Sequence, residues 1–144
     1  MVLKMDVAAL TAFLASDFAE VADQFVVEAA TESGLTVRLR LRVGAQHLRP
    51  GGTVSGPTIF AVADVAVYLA ILSRIGPKAL TVTTNASIDF LRKPGAGCDM
   101  IAVAKILKLG RVLAVGDVLI YSDGHADPVA RASMTYSIPP VAKE

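Results

Sequence analysis

Residues 58–72 are apolar almost throughout, and the run is broken near its middle by one carboxylate, Asp64. Apolar length of this kind belongs inside a protein. An ionised carboxylate within it must be neutralised, paired or given a polar opening, because stripping its water costs several kcal/mol or more. The run is shorter than the roughly 20 residues of a membrane span and carries a charge at its centre, so it reads as a helix buried in a globular protein. A helix that is apolar all round has to be wrapped on most sides. One layer of sheet leaves part of it open, and a partner subunit would complete the cover.

The signals around the run agree with a helix. Ser55 is a candidate N-cap, Pro57 falls in the first turn where a missing amide hydrogen costs nothing, and Gly76-Pro77 ends the element after Ser73 or Arg74. Strands surround it. Leu35, Val37, Leu39, Leu41 and Val43 alternate with Thr36, Arg38, Arg40 and Arg42, the period of a sheet with one wet face. A strand over residues 25–32 would pair with it through a turn at Glu32-Ser33-Gly34, and a loop over 46–54 containing Pro50, Gly51 and Gly52 follows. Leu80, Val82, Thr84, Ala86, Ile88 and Phe90 alternate with Thr81, Thr83, Asn85, Ser87 and Asp89, which places Thr83 on the polar face of its strand. Strands over 99–107 and 112–122 are apolar on both faces, which argues for central positions in a sheet or for a second covered surface. Asp123-Gly124 signals a turn into a last strand over 129–138, with Ala130, Ala132, Met134, Tyr136 and Ile138 on one side. The whole reads as α+β, an antiparallel sheet of five or six strands curled around one long helix.

Residues 1–144 can bury one substantial core and read as a single domain. Fourteen basic and thirteen acidic residues without a long same-sign block exclude the electrostatic footprint of a nucleic-acid or anionic-membrane binder. Cys98, His47 and His125 are too few for a zinc site, and a lone cysteine suits a reducing, cytoplasmic setting. Neither histidine has a visible partner, and loop or surface positions suffice for both. Residues 7–15 after Lys4 have the length of a secretory signal core, but Asp6 and Asp17 flank them and Leu10, Phe13, Leu14, Phe18 and Val21 recur as one helical stripe. An amphipathic helix docked on the core is the expectation.

The order of helix, hairpin, loop, buried helix and antiparallel strands, with the segment Gly51-Gly52-Thr53-Val54-Ser55-Gly56-Pro57-Thr58-Ile59-Phe60-Ala61-Val62-Ala63-Asp64, resembles the hotdog-fold acyl-CoA thioesterases of the phenylacetate-degradation (PaaI-type) branch. Members of that branch read His-Gly-Gly, several apolar residues, then an acid nine positions after the His. Here Ser55, Gly56 and Pro57 stand at the His-Gly-Gly positions, and Asp64 lies nine after Ser55. Ser87-Ile88-Asp89-Phe90-Leu91-Arg92-Lys93-Pro94 is similar to the family's strand ending in an aromatic, a basic residue and proline, and Lys108-Leu109-Gly110-Arg111 to its basic glycine turn. The resemblance covers residues 35–138. It implies hydrolysis of an acyl-CoA without a cofactor or metal, in a homodimer or dimer of dimers whose sites draw the amide donor and the acid from different subunits.

The residues are compatible with that chemistry. A helix N-terminus offers unpaired amide hydrogens where an oxyanion develops, and Gly56 is the natural donor because Pro57 has none. Asp64 would act as general base on water or as nucleophile on the thioester carbon. Gly56 and Asp64 are roughly 12 Å apart along one helix, too far to touch one carbonyl. Thr83 is the candidate hydroxyl for positioning water, as related enzymes suggest. Ser55 lies at the helix entrance, and Tyr68, one turn beyond Asp64, would line the acyl pocket or orient the acid. Arg49, Arg92, Lys93, Lys108 and Arg111, in or beside expected loops, are candidates as a group for the coenzyme A phosphates. Two other functions remain open: a non-catalytic acyl-CoA or lipid binder, suggested by the altered Ser55 and Pro57, and a hotdog hydratase, which commonly needs a histidine near this site.

Overall fold

The computed structural model describes residues 3–33 and 36–140. Helix α1 (Val7–Asp17) is capped by the Asp6 side chain, which accepts the Ala9 amide at 2.9 Å, and buries Leu10, Phe13 and Leu14. Its expected stripe ends there, and Phe18 is exposed. The strands are β1 (Phe25–Thr31), β2 (Thr36–Leu41), β3 (Val82–Phe90), β4 (Met100–Leu109), β5 (Leu113–Ser122) and β6 (Pro128–Ser137). Gly34 and Leu35, assigned from sequence to the first turn and the second strand, lie outside the described residues.

Helix α2 (Gly56–Ile75) starts and stops where the sequence signals lie. Ser55 caps it, and Gly76 ends it with φ at 96°, a left-handed conformation that favours glycine. Its 20 residues have the length and composition of a membrane span, but twelve of them are buried against the sheet and α1, as befits a core helix. Gly116 on β5 makes the close approach possible: a Cβ there would stand 2.8 Å from Val67 Cγ1.

All strand pairs are antiparallel, in the order β1-β2-β4-β5-β6-β3. The two strands apolar on both faces, β4 and β5, are the central pair, as their composition implies. Chain order and sheet order differ, because β3 is not the sheet neighbour of β2 but sits at the far edge beside β6. The roughly 30 Å of α2 carries the chain across the sheet between them. The core lies between α2 and the inward side chains Leu39, Met100, Ala102, Val118, Ile120, Met134 and Tyr136.

Two edges result. α1 packs beside β1, whereas β3 has β6 on one side only and is exposed along almost all its length, with Val82 and Phe90 more than half accessible. On α2, Pro57, Ala61 and Asp64 form the less buried stripe. The helix is therefore wrapped except along the side that carries its carboxylate.

Candidate active site

Asp64 is held by hydroxyls from two strands. Thr83 Oγ1 donates to Asp64 Oδ1 at 2.7 Å, and the Tyr136 hydroxyl contacts the same Oδ1 and also reaches the Asp64 backbone carbonyl at 2.7 Å. Both hydroxyls sit together because Thr83 is the cross-strand partner of Tyr136. Residues directly opposed in an antiparallel pair stand about 5 Å apart at Cβ, close enough to converge on one carboxylate.

That arrangement corrects the expected side of Thr83. Strict alternation would put Thr83 outward and Thr84 inward with Ala86 and Ile88. The β3–β6 register shifts between Thr83 and Asn85, and the extra residue of this bulge turns Thr83 to the helix side. Thr84 bonds the Thr135 carbonyl instead. Period-two counting cannot see a bulge, since nothing in a run of threonines marks the inserted one.

Of the two roles expected of Tyr68, orienting the acid is the one its geometry does not fit. Its hydroxyl donates to the Ala79 carbonyl at 3.0 Å rather than to Asp64, and its buried ring stacks on Tyr136 at 6.1 Å and meets Phe13 and Phe18. Burial, with the Asp17 charge adding to it, pushes the Tyr68 phenol up to about 12. Tyr136 is the residue that sequence reasoning missed at the acid. Its place on the core face of the last strand was legible, but a tyrosine there is ordinarily read as apolar area.

The start of α2 leaves one donor free. Thr58 N is taken by Ser55 Oγ at 3.3 Å, Ile59 N by Ser55 O at 3.0 Å, and Pro57 has no amide hydrogen. The Gly56 amide has no acceptor among the described residues. The Phe90 ring lies against this turn, 3.3 Å from where a Gly56 Cβ would stand. Ser55 is committed to the cap and to Thr58 Oγ1 at 2.8 Å, which is a structural use.

His47 is not a surface residue but is buried just before this turn. Its Nδ1 accepts the Gly44 amide at 2.8 Å and its Nε2 meets Gln24 Oε1 at 2.8 Å, while its carbonyl accepts the Ser55 amide. It braces the loop that enters α2. His125 is exposed, lies 3.7 Å from Cys98 Sγ, and falls between β5 and β6, at the opposite end of β6 from the Tyr136 that meets Asp64.

The basic candidates separate into two sets. Arg92, tied to the Pro128 carbonyl, and Lys93 line a groove of about 180 Å³ with His125 and Asp127, at the end of the sheet where β5 turns into β6. Lys108, which lies on β4 rather than in a loop and pairs with Val115, and Arg111, between β4 and β5, are at the opposite end. Arg49 is exposed in the loop before α2. One protomer does not gather them into one site. Among the described residues no cluster of three or more His, Cys, Asp or Glu side chains is placed to hold a metal.

The thioesterase superfamily profile matches residues 51–129, which span the α2 entrance, Asp64 and Thr83. The chain belongs to the thioesterase superfamily. A structure of a protein provisionally assigned as a thioesterase from Silicibacter sp. TM1040 is 52% identical, covers 97% of this chain and 96% of its own, and superposes with a TM-score of 0.89. A variant of the phenylacetic acid degradation protein PaaI from Thermus thermophilus is 29% identical over 86% of this chain and 100% of its own, with a TM-score of 0.71. A hypothetical thioesterase protein of Streptococcus pneumoniae TIGR4, solved with coenzyme A, shares the fold at 21% identity, covering 88% of this chain and 97% of its own, with a TM-score of 0.74. A search of curated proteins returned no match. The hotdog fold and the PaaI-type resemblance stand on these findings together with the six-stranded sheet around α2.

Proposed function

We propose that this thioesterase hydrolyses acyl-CoA to a free carboxylic acid and coenzyme A, as a cytoplasmic homodimer with two shared sites. One observation carries the reading: Asp64 lies on the open stripe of α2, beside β3, whose outer edge pairs with no strand among the described residues. Edge strands with apolar, accessible side chains invite pairing with another copy. Antiparallel pairing of β3 with itself about a two-fold axis near residues 86 and 87 would set residue 83 of one protomer against residue 90 of the other. Because Phe90 lies against Gly56, that pairing carries Gly56 of the partner subunit toward Asp64. It also brings Arg92 and Lys93 of the partner subunit to the side of the seam where this protomer's Lys108 and Arg111 lie, and together these suit the phosphates of coenzyme A. The outward sheet face, with Leu113 and Leu119 exposed, is the surface on which two such dimers would pack.

In the proposed reaction the Gly56 amide binds the thioester oxygen as it becomes an oxyanion. Asp64 takes a proton from water as the water oxygen attacks the carbonyl carbon, the tetrahedral intermediate collapses with cleavage of the carbon–sulfur bond, and the proton held by Asp64 passes to the departing coenzyme A thiolate. Direct attack by the carboxylate is the other route; it forms an acyl–Asp64 anhydride, and label appearing in Asp64 after a single turnover in ¹⁸O-labelled water would require it, because only an anhydride opened at the Asp64 carbon places label there. The test of function is a panel of acyl-CoAs with a thiol-detecting reagent. Turnover by the wild type and a loss of roughly 10²- to 10⁴-fold in Asp64→Ala are expected; retention of most activity in the variant would sink the role of Asp64. The commitment of Ser55 to capping favours a second reading, a non-catalytic acyl-CoA binder. Calorimetry showing tight coenzyme A binding without hydrolysis would support it.

A further inference from the structure

We infer that Tyr136 is the positioning residue of Asp64: with Thr83 it occupies Oδ1 and leaves Oδ2 as the working oxygen. The inference rests on the assignment of Asp64 as the reacting acid. A carboxylate oxygen has two lone pairs in its plane, and here Oδ1 meets two hydroxyls, from Thr83 and Tyr136. Oδ2 has no partner among the described residues. A side chain with one oxygen held from two directions cannot rotate about its last bond without breaking both contacts. The free oxygen is therefore fixed in direction as well as in place.

The phenol has a second feature. It carries one proton and faces two acceptors of the same residue, Oδ1 and the Asp64 carbonyl. While Asp64 is ionised, its charge makes Oδ1 the better acceptor. Once Oδ2 has taken a proton, the phenol proton can turn to the carbonyl without the ring moving. The ring itself is held by its stack on Tyr68, and only 2% of Tyr136 is accessible. Burial, then the neighbouring Asp64 charge, pushes the phenol far above its ordinary range, so it remains a donor at any working pH. The titratable groups around this contact are Tyr136 on β6 and Tyr68 on α2, with Thr83 on β3 a neutral donor.

Tyr136→Phe keeps the ring and removes the hydroxyl. The expected result is a fall in kcat of roughly 10- to 100-fold with KM within about threefold, the loss of one hydrogen bond to a charged group. Its pH–rate profile should have an acid limb at higher pH than the wild type, because an ionised carboxylate that has lost a donor takes up a proton more readily. Site-specific 3-fluorotyrosine at position 136, a stronger donor in the same shape, should move the limb the other way, which a loss of packing would not do. Crystal structures give the activity-independent readout: the Asp64 carboxylate should occupy more than one rotamer in Tyr136→Phe and one in the wild type. A single unchanged rotamer, or an acid limb that does not move with either variant, would overturn the inference. If the wild type hydrolyses no acyl-CoA, the functional reading fails, while the rotamer comparison still decides the role of Tyr136.

Discussion

At the scale of single residues, the proposed chemistry rests on one carboxylate and the first free amide of one helix, and their neighbours decide what they can do. Asp64 is tolerable inside an apolar run because it is not sealed there: two hydroxyls meet it and one side of its helix is open. Ser55 shows the reverse case, a residue at a motif position whose hydroxyl is spent on the helix start. Ser55→Ala should cost about 1 kcal/mol of stability through the lost cap while kcat stays close to wild type. Urea unfolding and steady-state kinetics on the same preparation check both halves, and a large fall in kcat would return Ser55 to the reacting machinery.

Among elements, β3 is the most informative. Its alternating pattern identifies a strand, yet the bulge at Thr84 decides which hydroxyl reaches the acid. Valine at either position removes the hydroxyl while keeping shape and strand propensity, so a pair of variants reads the register directly. Thr83→Val should lower kcat by roughly 10- to 100-fold, for loss of a hydrogen bond to a charged group. Thr84→Val should stay within about threefold, since Thr84 bonds only the exposed Thr135 carbonyl. The opposite ranking would mean that the strand follows strict alternation. The α2 helix needs no such correction, because its capping serine, its first-turn proline and its terminal glycine each have a local conformational cause.

The whole molecule adds two consequences. If each site takes its acid from one protomer and its amide from the other, Asp64→Ala and Gly56→Pro should each be inactive alone. Unfolding and refolding them together should restore roughly a quarter of wild-type turnover, because half of a random mixture is heterodimer and each heterodimer has one intact site. No recovery, with light scattering showing dimers, would argue for sites within single protomers. The second consequence concerns acid stability. Arg40 joins three segments of chain through Glu28, Asp99 and Asp123 at 2.7, 3.0 and 2.8 Å. Its guanidinium holds the Glu28 and Asp123 carboxyls below their usual range. Groups shifted down on folding contribute stability above the unfolded-state value, and that contribution is lost as pH falls through the lowered value. Arg40→Met should therefore be less stable than wild type near neutral pH, and the gap in melting temperature should close on acidification. A gap that persists at low pH would assign the effect to packing.

The boundaries of α2, the positions of the strands and Asp64 as the candidate acid were determined by the sequence itself, because caps, breakers and hydrophobic periods act within a few residues of chain. Only the tertiary structure decided that β3 lies at the far edge beside β6, that its bulge turns Thr83 inward, that Tyr136 rather than Tyr68 meets the acid, and that His47 is a buried brace. Each of these depends on which distant segments become neighbours. Local pattern places Tyr68 on the helix and Tyr136 on the last strand, but what each hydroxyl meets is decided only when α2 crosses the sheet and brings Ala79 to one and Asp64 to the other.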